Sequence, residues 1–182
     1  MTSSRSKPPN QLNVRLATLE DAEVIWLWRN DPATRLYSQN TGCIPWEDHA
    51  LWFSAVLNDP GRVVYMVVPA TRSSTETTEP IAVVRFDLLS ETTAHWLVNL
   101  NLRPESRGLG LGRHVLLAAC KALFDHYGVQ VLRAEIHLQN CASKRVFAEL
   151  GFELTDRPQV AGFQLYDRPA RPLPKVSEPE SS

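Results

Sequence analysis

The sequence predicts an α/β protein built on one mixed sheet, and three observations support this. The 182-residue chain is long enough to bury the core of one α/β domain. Its apolar segments follow the order β-α-α-β-β-β-α-β-α-β-β, in which strands both succeed one another and alternate with helices. Late in the chain, a glycine-rich run and a helix separate two strands, as in a β-α-β crossover. We therefore expect a sheet that is antiparallel early and has one such crossover near its end.

The first half of the domain is predicted to contain one strand, two helices and three further strands. Thr18 is a candidate N-cap with acidic residues in the following turn, and Asn30-Asp31-Pro32 is predicted to stop the first helix. The strand at 94–102 alternates, so the side chains from His95 to Asn101 at odd positions share one face. The predicted ranges are 13–17 (strand), 18–29 and 45–57 (helices), and 63–68, 81–88 and 94–102 (strands).

The second half is predicted to alternate helices and strands. A helical apolar face is formed by Val115, Ala118 and Ala122, and Gly128 is predicted to end that helix. Gly151 occupies the usual C-cap position of a second helix. The predicted ranges are 112–126 and 140–150 (helices), and 131–138, 152–154 and 163–166 (strands).

Composition and charge exclude several functional classes. A formal net charge of −1 gives no electrostatic reason to bind nucleic acid or an anionic membrane. No run approaches the roughly 18 apolar residues of a membrane span. Cys43, Cys120 and Cys141 form no CxxC pair, which favours reduced thiols in a cytoplasmic protein. The histidines lack the spacing of metal ligands, so we expect no metal site.

The domain boundaries follow from local composition. Residues 1–12 are polar and lack the apolar core of a signal peptide, and residues 169–182 are rich in Pro, Ser and Glu. We expect a disordered arm at 1–12, one domain at 13–168 and a disordered tail at 169–182. The polar stretch Thr71 to Glu79 is expected to form a mobile loop.

The glycine-rich run, Arg107-Gly108-Leu109-Gly110-Leu111-Gly112-Arg113, indicates an anion site. Glycines let the backbone approach a ligand, and a helix that begins at the last glycine directs free N–H groups at it. A nucleoside-triphosphate loop requires Lys-Ser or Lys-Thr after its last glycine, but Arg113-His114 follows here. A dinucleotide loop requires a third glycine where Arg113 or Val115 stands, although Glu135, about 20 residues on, would suit its ribose.

Two segments resemble a known family. Arg107-x-x-Gly110-x-Gly112, between a strand and a helix, resembles the acyl-CoA motif of the GCN5-related N-acetyltransferases (GNAT). The segment from Asn140 to Phe152, with its helix ending in Gly-Phe, is similar to the second signature of that family. The resemblance covers roughly Val14 to Asp167. It implies a GNAT fold with splayed fourth and fifth strands, acetyl-CoA as donor, and acetyl transfer to a primary amine.

The resemblance also implies roles for individual residues. A backbone N–H near Leu100 to Leu102 would polarise the thioester carbonyl, and the loop amides would hold the pyrophosphate. The residues that it assigns to the cofactor are Leu100, Asn101, Leu102, Arg107, Gly108, Leu109, Gly110, Leu111, Gly112, Arg113, Asn140, Ser143 and Phe147.

The proton carriers are less clearly marked. His95 stands where the family often has a glutamate on the fourth strand, and a neutral imidazole is a competent base. The alternative is that His95 merely borders the sheet. Asn99, on the same face, is a candidate to orient a water. Many relatives carry a Tyr where this chain has Phe147, so solvent, Cys141, Ser143 or Tyr166 would have to protonate the thiolate.

The acceptor side is dense in aromatic and hydrogen-bonding groups, and it resembles the acetyltransferases of nucleotide-linked amino sugars in pseudaminic acid biosynthesis. That resemblance implies a UDP-linked 4-amino-4,6-dideoxy sugar, whose diphosphate suits bidentate arginines and whose uracil or sugar suits Trp46 or another tryptophan. The candidate substrate residues are Trp28, Arg29, Asn30, Arg35, His49, Trp52 and Arg85. Alternatively, the tryptophans fill the core and the arginines form structural ion pairs.

Two rival functions remain open at this point. One is a protein N-terminal acetyltransferase of the ribosomal-protein type, which would need a groove open at both ends with an acidic lining. The other is a catalytically idle acyl-CoA-binding module, suggested by Phe147 and by the missing carboxylate on the fourth strand. In the favoured reading the partner is a small-molecule amine, without nucleic acid or membrane, and a homodimer is left open.

Overall fold

The structure, a computed structural model, describes residues 11–70, 78–157 and 160–171. Seven strands form one sheet in the order β1-β2-β3-β4-β5-β7-β6. The strands are β1 Leu12–Leu16, β2 Arg62–Pro69, β3 Ala82–Ser90, β4 His95–Leu102, β5 Val131–His137, β6 Glu153–Leu154 and β7 Phe163–Pro169. The helices are α1 Ala22–Asn30, α2 Pro32–Leu36, α3 Trp46–Leu57, α4 Gly112–His126 and α5 Cys141–Glu149. Within the described ranges, no helix has the length and hydropathy needed to cross a membrane.

The sheet is mixed, as the sequence predicts. Strands β1 to β4 are consecutive antiparallel neighbours, β4 pairs with β5 in parallel, and β7 pairs antiparallel with both β5 and β6. Helix α4 makes the connection from β4 to β5, because a parallel pair requires a crossover. The predicted α/β class is therefore confirmed.

The helices cover both faces of the sheet. On one face, β-strand residues such as Phe86 and Leu132 pack against Leu116 of α4 in the larger core cluster. On the other face, Met66 packs with Phe53 of α3 and with α1 in a second cluster. Alternate residues of β2 and of β3 thus belong to different cores, which fixes the register of these two strands.

Helix α2 is the element that sequence reasoning missed. Asn30-Asp31-Pro32 does end α1, but the same residues begin α2. The Asp31 carboxylate accepts hydrogen bonds from the N–H groups of Ala33 and Thr34, each at 3.1 Å, and Pro32 takes the first helical position. Upstream, Thr18 caps a short 3-10 turn before α1 rather than α1 itself.

Two predicted boundaries need correction. Leu12 pairs with Pro69 in the sheet, and Pro169 pairs with Val131, so the ordered domain extends past the predicted limits at both ends. The remainder of the predicted arm and tail, at 1–10 and 172–182, lies outside the described residues. Most of the predicted polar loop, at 71–77, also lies outside them.

Candidate active site

The centre of the site is an opening between β4 and β5. The two strands pair at His95–Val131, Trp96–Leu132 and Leu97–Arg133, and the described pairing ends there. Strand β4 nevertheless continues to Leu102, still paired with β3, and β5 continues to His137, still paired with β7. The strands therefore diverge beyond Leu97, and each presents an edge to the opening.

The β4 edge carries backbone donors for which the described residues provide no acceptor. The N–H of Arg103 bonds the carbonyl of Ile81 at 2.9 Å, on the β3 side. Because the backbone groups of a strand alternate between its two neighbours, the N–H groups of Leu100 and Leu102 point away from β3 and into the opening. At these positions the resemblance to the family implies the backbone N–H that polarises the thioester carbonyl.

The β5 edge is complementary. The N–H of Leu138 bonds the carbonyl of Gly162 at 2.9 Å, on the β7 side. The same alternation directs the backbone groups of Glu135 and His137 toward the opening. An extended ligand with amide groups would find a strand edge on each side of it.

The glycine run forms a loop beyond the end of β4. Gly108 and Gly110 have φ values of +71° and +74°, which disfavour side chains, and both are exposed. Gly112 begins α4, and a Cβ there would lie 2.9 Å from a methyl group of Val146 on α5. The first-turn N–H groups of α4 have no intrahelical acceptor, so the loop and the helix have the donor arrangement that suits an anion. The Arg113 Nε, nearby, is buried without a hydrogen-bond partner in the described part of the chain.

Arg107, the first residue of the motif, is bound elsewhere. Its guanidinium donates to the Asp31 carboxylate, to Thr34 Oγ1 at 2.7 Å and to the carbonyl of Leu102 at 3.2 Å. The hydrogen bond from Arg107 holds the pKa of Asp31 below its usual range, against the opposing effect of burial. The side chain thus reaches across to α2.

The second signature supplies structural groups. Asn140 caps α5, since its Oδ1 accepts the N–H of Ser143 at 3.0 Å. The Phe147 ring is 4% exposed and meets the Phe152 ring edge-on at 4.9 Å. Its side chain therefore belongs to the core, and its assignment to the cofactor stays a prediction. The Tyr166 ring packs against the core on the α4 face of the sheet, and its hydroxyl donates to Gln164 Oε1 at 3.2 Å.

His95 and Asn99 occupy different parts of β4. His95 is the first residue of the strand, in the segment still paired with β5. Leu100 lies five residues later, about 17 Å along an extended strand. Asn99 adjoins Leu100, and its side chain is exposed on the face of α1 to α3. The geometry thus brings Asn99 to the opening and leaves His95 at the closed end.

Glu135 is the functional candidate that sequence reasoning missed. It lies two residues beyond the last β4–β5 pair, and its neighbours Ala134 and Ile136 are buried on the α4 face, so its carboxylate projects from the other face. The carboxylate accepts from Gln39 Nε2 at 2.5 Å. Other carboxylates near the opening are ion-paired: Asp31 with Arg107, Asp87 with Arg85, and Asp167 with Arg133. The alternation of apolar and polar residues at 131–138 was the signal in the sequence from which this placement of Glu135 could have been predicted.

Three arginines converge on the same face. Burial, together with the positive charges of Arg35 and Arg85, lowers the pKa of Arg29. Arg29 Nη1 and Arg35 Nε are buried, and among the described residues neither has a hydrogen-bond partner. The Arg85 guanidinium lies 5.3 Å from the centre of the Trp52 ring. In the described part of the chain, neither Arg29 nor Arg35 has a carboxylate within 4 Å, so this arginine cluster has the chemistry of an anion site.

Three other predicted substrate residues belong to the scaffold instead. Trp28 is 5% exposed in the α1 core. His49 is 2% exposed, its Nε2 lies 2.9 Å from the carbonyl of Ala22, and burial lowers its pKa. The Asn30 amide forms two hydrogen bonds with the backbone of Ile44, at 2.8 and 2.9 Å. Amphipathic helices place such side chains inward, which the sequence did not distinguish from a pocket lining.

Metal chemistry has no counterpart in the described ranges. There, no group of three or more His, Cys, Asp or Glu side chains is placed to hold a metal ion. The site therefore consists of backbone donors, a carboxylate and the arginine cluster.

Comparison with known proteins gives a consistent picture. The family model described as "Acetyltransferase (GNAT) domain" matches residues 11–153. No curated protein sequence matches the chain. Among solved structures, a domain from Methanocaldococcus jannaschii has a TM-score of 0.73 at 21% identity, covering 87% of this chain and 98% of that one.

Two further solved structures contain CoA. Spermidine N-acetyltransferase from Vibrio cholerae, in complex with CoA and spermine, has a TM-score of 0.74 at 14% identity, covering 87% of this chain and 95% of that one. The aminoglycoside acetyltransferase AAC(6')-Ib with coenzyme A has a TM-score of 0.71 at 17% identity, covering 88% and 95%. At these identities, the likeness is one of fold.

Proposed function

The chain belongs to the GNAT acetyltransferase domain family, and from this premise we propose that its acceptor is a small amine that carries an anionic group. It is an acetyl-CoA-dependent N-acetyltransferase with the mixed α/β fold of that family. The finer proposal is that the amine is the 4-amino group of a UDP-linked amino-dideoxy sugar, acetylated in the cytoplasm. The observation that carries it is the arginine cluster, in which two buried guanidinium nitrogens have no hydrogen-bond partner among the described residues.

Donor binding is assigned to backbone groups. The pyrophosphate of acetyl-CoA would lie on the exposed loop at Gly108 to Gly112, against the first turn of α4, with Arg113 as the nearby guanidinium. The pantetheine arm would enter the opening between β4 and β5, where its amides meet unpaired strand edges. The thioester carbonyl would then accept from the N–H of Leu100, which stabilises the oxyanion as it forms.

Proton transfer is assigned to Glu135. Once the ammonium has lost a proton, the neutral amine nitrogen attacks the thioester carbon, a C–N bond forms, the C–S bond breaks, and CoA leaves as a thiolate. The nitrogen releases its second proton to solvent as the amide forms. Glu135 takes the proton that the ammonium loses, directly or through a water held by Asn99. Because Phe147 has no acidic hydrogen, the thiolate is protonated from solvent. Glu135 suits this role because its hydrogen-bond partner, Gln39, is neutral.

The charge distribution selects among acceptors. The arginine cluster would bind a diphosphate through several charge-assisted hydrogen bonds, and Trp52 offers a ring for the base or the sugar. The same positive charge would repel a polyamine, an aminoglycoside or the amino terminus of a peptide. The spermidine and aminoglycoside enzymes thus share the fold with this chain, while the acceptor proposed here is of opposite charge.

The test compares CoA release with four acceptors: a UDP-linked 4-amino-4,6-dideoxy sugar, spermidine, kanamycin and a peptide with a free amino terminus. We expect the nucleotide sugar to have the highest kcat/KM and UDP alone to inhibit competitively. Arg35→Gln should raise the KM for the sugar about tenfold, the effect of one charge-assisted hydrogen bond. Arg103→Gln, whose guanidinium pairs with Glu79 and Glu105 at the surface, is the matched control and should change little.

The other outcomes separate the rival functions. A higher kcat/KM with spermidine, kanamycin or the peptide would reject the nucleotide sugar but keep the acetyltransferase. Tight acetyl-CoA binding without CoA release for any amine would favour the idle module.

A further inference from the structure

Arg107 belongs to the donor loop in sequence, yet its side chain is committed to the acceptor side. Four of its hydrogen bonds are made within the protein: Nη1 to Asp31, Nη2 to Thr34 Oγ1, and both Nη2 and Nε to the carbonyl of Leu102. A guanidinium has five N–H donors. Little of this one is left for a phosphate while these contacts persist.

Those contacts fix α2 against the end of β4. Asp31 is both the ion partner of Arg107 and the N-cap of α2, bonding the N–H groups of Ala33 and Thr34. Thr34 Oγ1 also lies 3.3 Å from Asn101 Oδ1 on β4. The N-terminal end of α2 is thus joined to β4 by the Arg107 guanidinium and by the hydrogen bond from Thr34 to Asn101.

The far end of α2 reaches the opposite side of the opening. The Tyr37 ring lies 5.7 Å from the ring of His137 on β5, and Gln39 bonds Glu135. Arg35, a member of the arginine cluster, lies on α2 itself. Helix α2 and the residues after it therefore span the opening from β4 to β5 and carry groups that the acceptor would meet.

We propose that Arg107 is a positioning residue for the acceptor: through Asp31 and Thr34 it fixes α2 across the opening, and its side chain does not serve as a CoA phosphate ligand. Loss of the pair would let α2 shift, which displaces Arg35 and Gln39 together. Acetyl-CoA would still bind through the loop amides. The part that concerns acceptor binding rests on the proposed function; the part that concerns α2 and acetyl-CoA does not.

The variants separate the ion pair from the helix cap. Asp31→Asn keeps a good N-cap, because Asn caps as well as Asp, but it removes the charge that pairs with Arg107. Arg107→Gln removes the guanidinium, and Arg107→Lys keeps the charge but lacks the planar fork that reaches three partners at once. Arg103→Gln is the control, since Arg103 flanks the same loop but pairs with Glu79 and Glu105 at the surface.

Two measurements need no acceptor. Calorimetry should give an acetyl-CoA Kd within twofold of the unaltered protein for Asp31→Asn and Arg107→Gln. Hydrogen exchange of residues 32–39, with acetyl-CoA bound, should be about tenfold faster in both variants and unchanged in Arg103→Gln. An acetyl-CoA Kd raised tenfold or more in Arg107→Gln would overturn the proposal, as would unchanged exchange in both variants.

A third measurement uses any amine that the enzyme acetylates. The KM for that amine should rise about tenfold in Asp31→Asn, Arg107→Gln and Arg107→Lys, with the KM for acetyl-CoA unchanged. The double variant Asp31→Asn, Arg107→Gln should be no worse than either single variant, because both remove one interaction. Additive losses would overturn the proposal. Failure of the nucleotide sugar as substrate would reject the proposed acceptor alone, since the exchange and Kd results are independent of it.

Discussion

Gly112→Ala tests whether α4 and α5 must meet as closely as they do in the structure. An added Cβ would lie 2.9 Å from Val146 Cγ2 and 3.5 Å from Cγ1, where unstrained carbon pairs lie about 3.5–4.0 Å apart. Val146 is β-branched on a helix, so one χ1 rotamer dominates and its methyl groups have no easy route of escape. One of the two helices would have to move.

The magnitude follows from two opposing effects. Overpacking costs about 1–3 kcal/mol, and exchanging Gly for Ala in a helix returns up to about 1 kcal/mol. We therefore expect the free energy of unfolding to fall by about 0–3 kcal/mol, which lowers the Tm by up to about 12 °C for a domain of this size. Because Gly112 begins the helix that we propose as the binding site of the pyrophosphate, the acetyl-CoA Kd should also rise, by about tenfold.

The assay is thermal unfolding together with calorimetric acetyl-CoA binding, and the decisive variant is a rescue. Val146→Ala removes both opposing methyl groups, so in the Gly112→Ala background it should restore much of the acetyl-CoA affinity and show a favourable coupling energy. Gly128→Ala is the control, since a Cβ there meets nothing within 4 Å. A higher Tm for Gly112→Ala with unchanged Kd, or no recovery with Val146→Ala, would refute the close-contact argument.

Three further predictions concern the proton carriers and pH. Glu135→Gln should lower kcat about 100-fold with acetyl-CoA affinity unchanged. Glu153→Gln, on an edge strand of the same sheet, should leave kcat unchanged. Equal kcat values for the two variants would remove Glu135 from the mechanism. His95→Ala should have a kcat within about threefold of the unaltered protein, because His95 lies at the end of β4 that is still paired with β5. A much larger loss of kcat with an altered pH profile would reinstate His95 as the base. Since its arginine partner lowers the pKa of Asp31 in the folded state, the ion pair stabilises the fold above about pH 4 and is lost as pH falls through the lowered value. The free energy of unfolding, measured by denaturant titration, should therefore fall less steeply with decreasing pH below 4 in Asp31→Asn than in the unaltered protein. The same slope in both proteins would contradict this.

The sequence predicted best what depends on local pattern. The loop at Gly108 to Gly112 and the helix that ends at Gly151 carry their conformations in glycine placement, and the structure has positive φ at Gly108, Gly110 and Gly151. The early antiparallel pairing and the late crossover followed from hydrophobic period and from the order of helices and strands along the chain. These features need no knowledge of distant partners.

What the sequence did not predict depends on distant contacts. Arg107 and Asp31 are 76 residues apart, and only the folded chain shows that the arginine is bound there and not at the loop. Glu135 looked like a ribose ligand in a rejected nucleotide motif, and its position emerges only from where β4 and β5 stop pairing. Trp28 and His49 have the residue types of a pocket but are buried in a core.

The short pairing of β4 with β5 has a mechanical consequence. The sheet consists of two groups of paired strands, β1 to β4 and β5 to β7. The pairing between the two groups, through β4 and β5, extends from His95 to Leu97. An extended acyl donor lying in the opening would hydrogen-bond to β4 on one side and to β5 on the other, as an added strand would. The free energy of unfolding would then depend on the concentration of this ligand. At 100 times its Kd, the ligand would raise that free energy by about 2.7 kcal/mol. The substrate is in this sense a temporary part of the sheet.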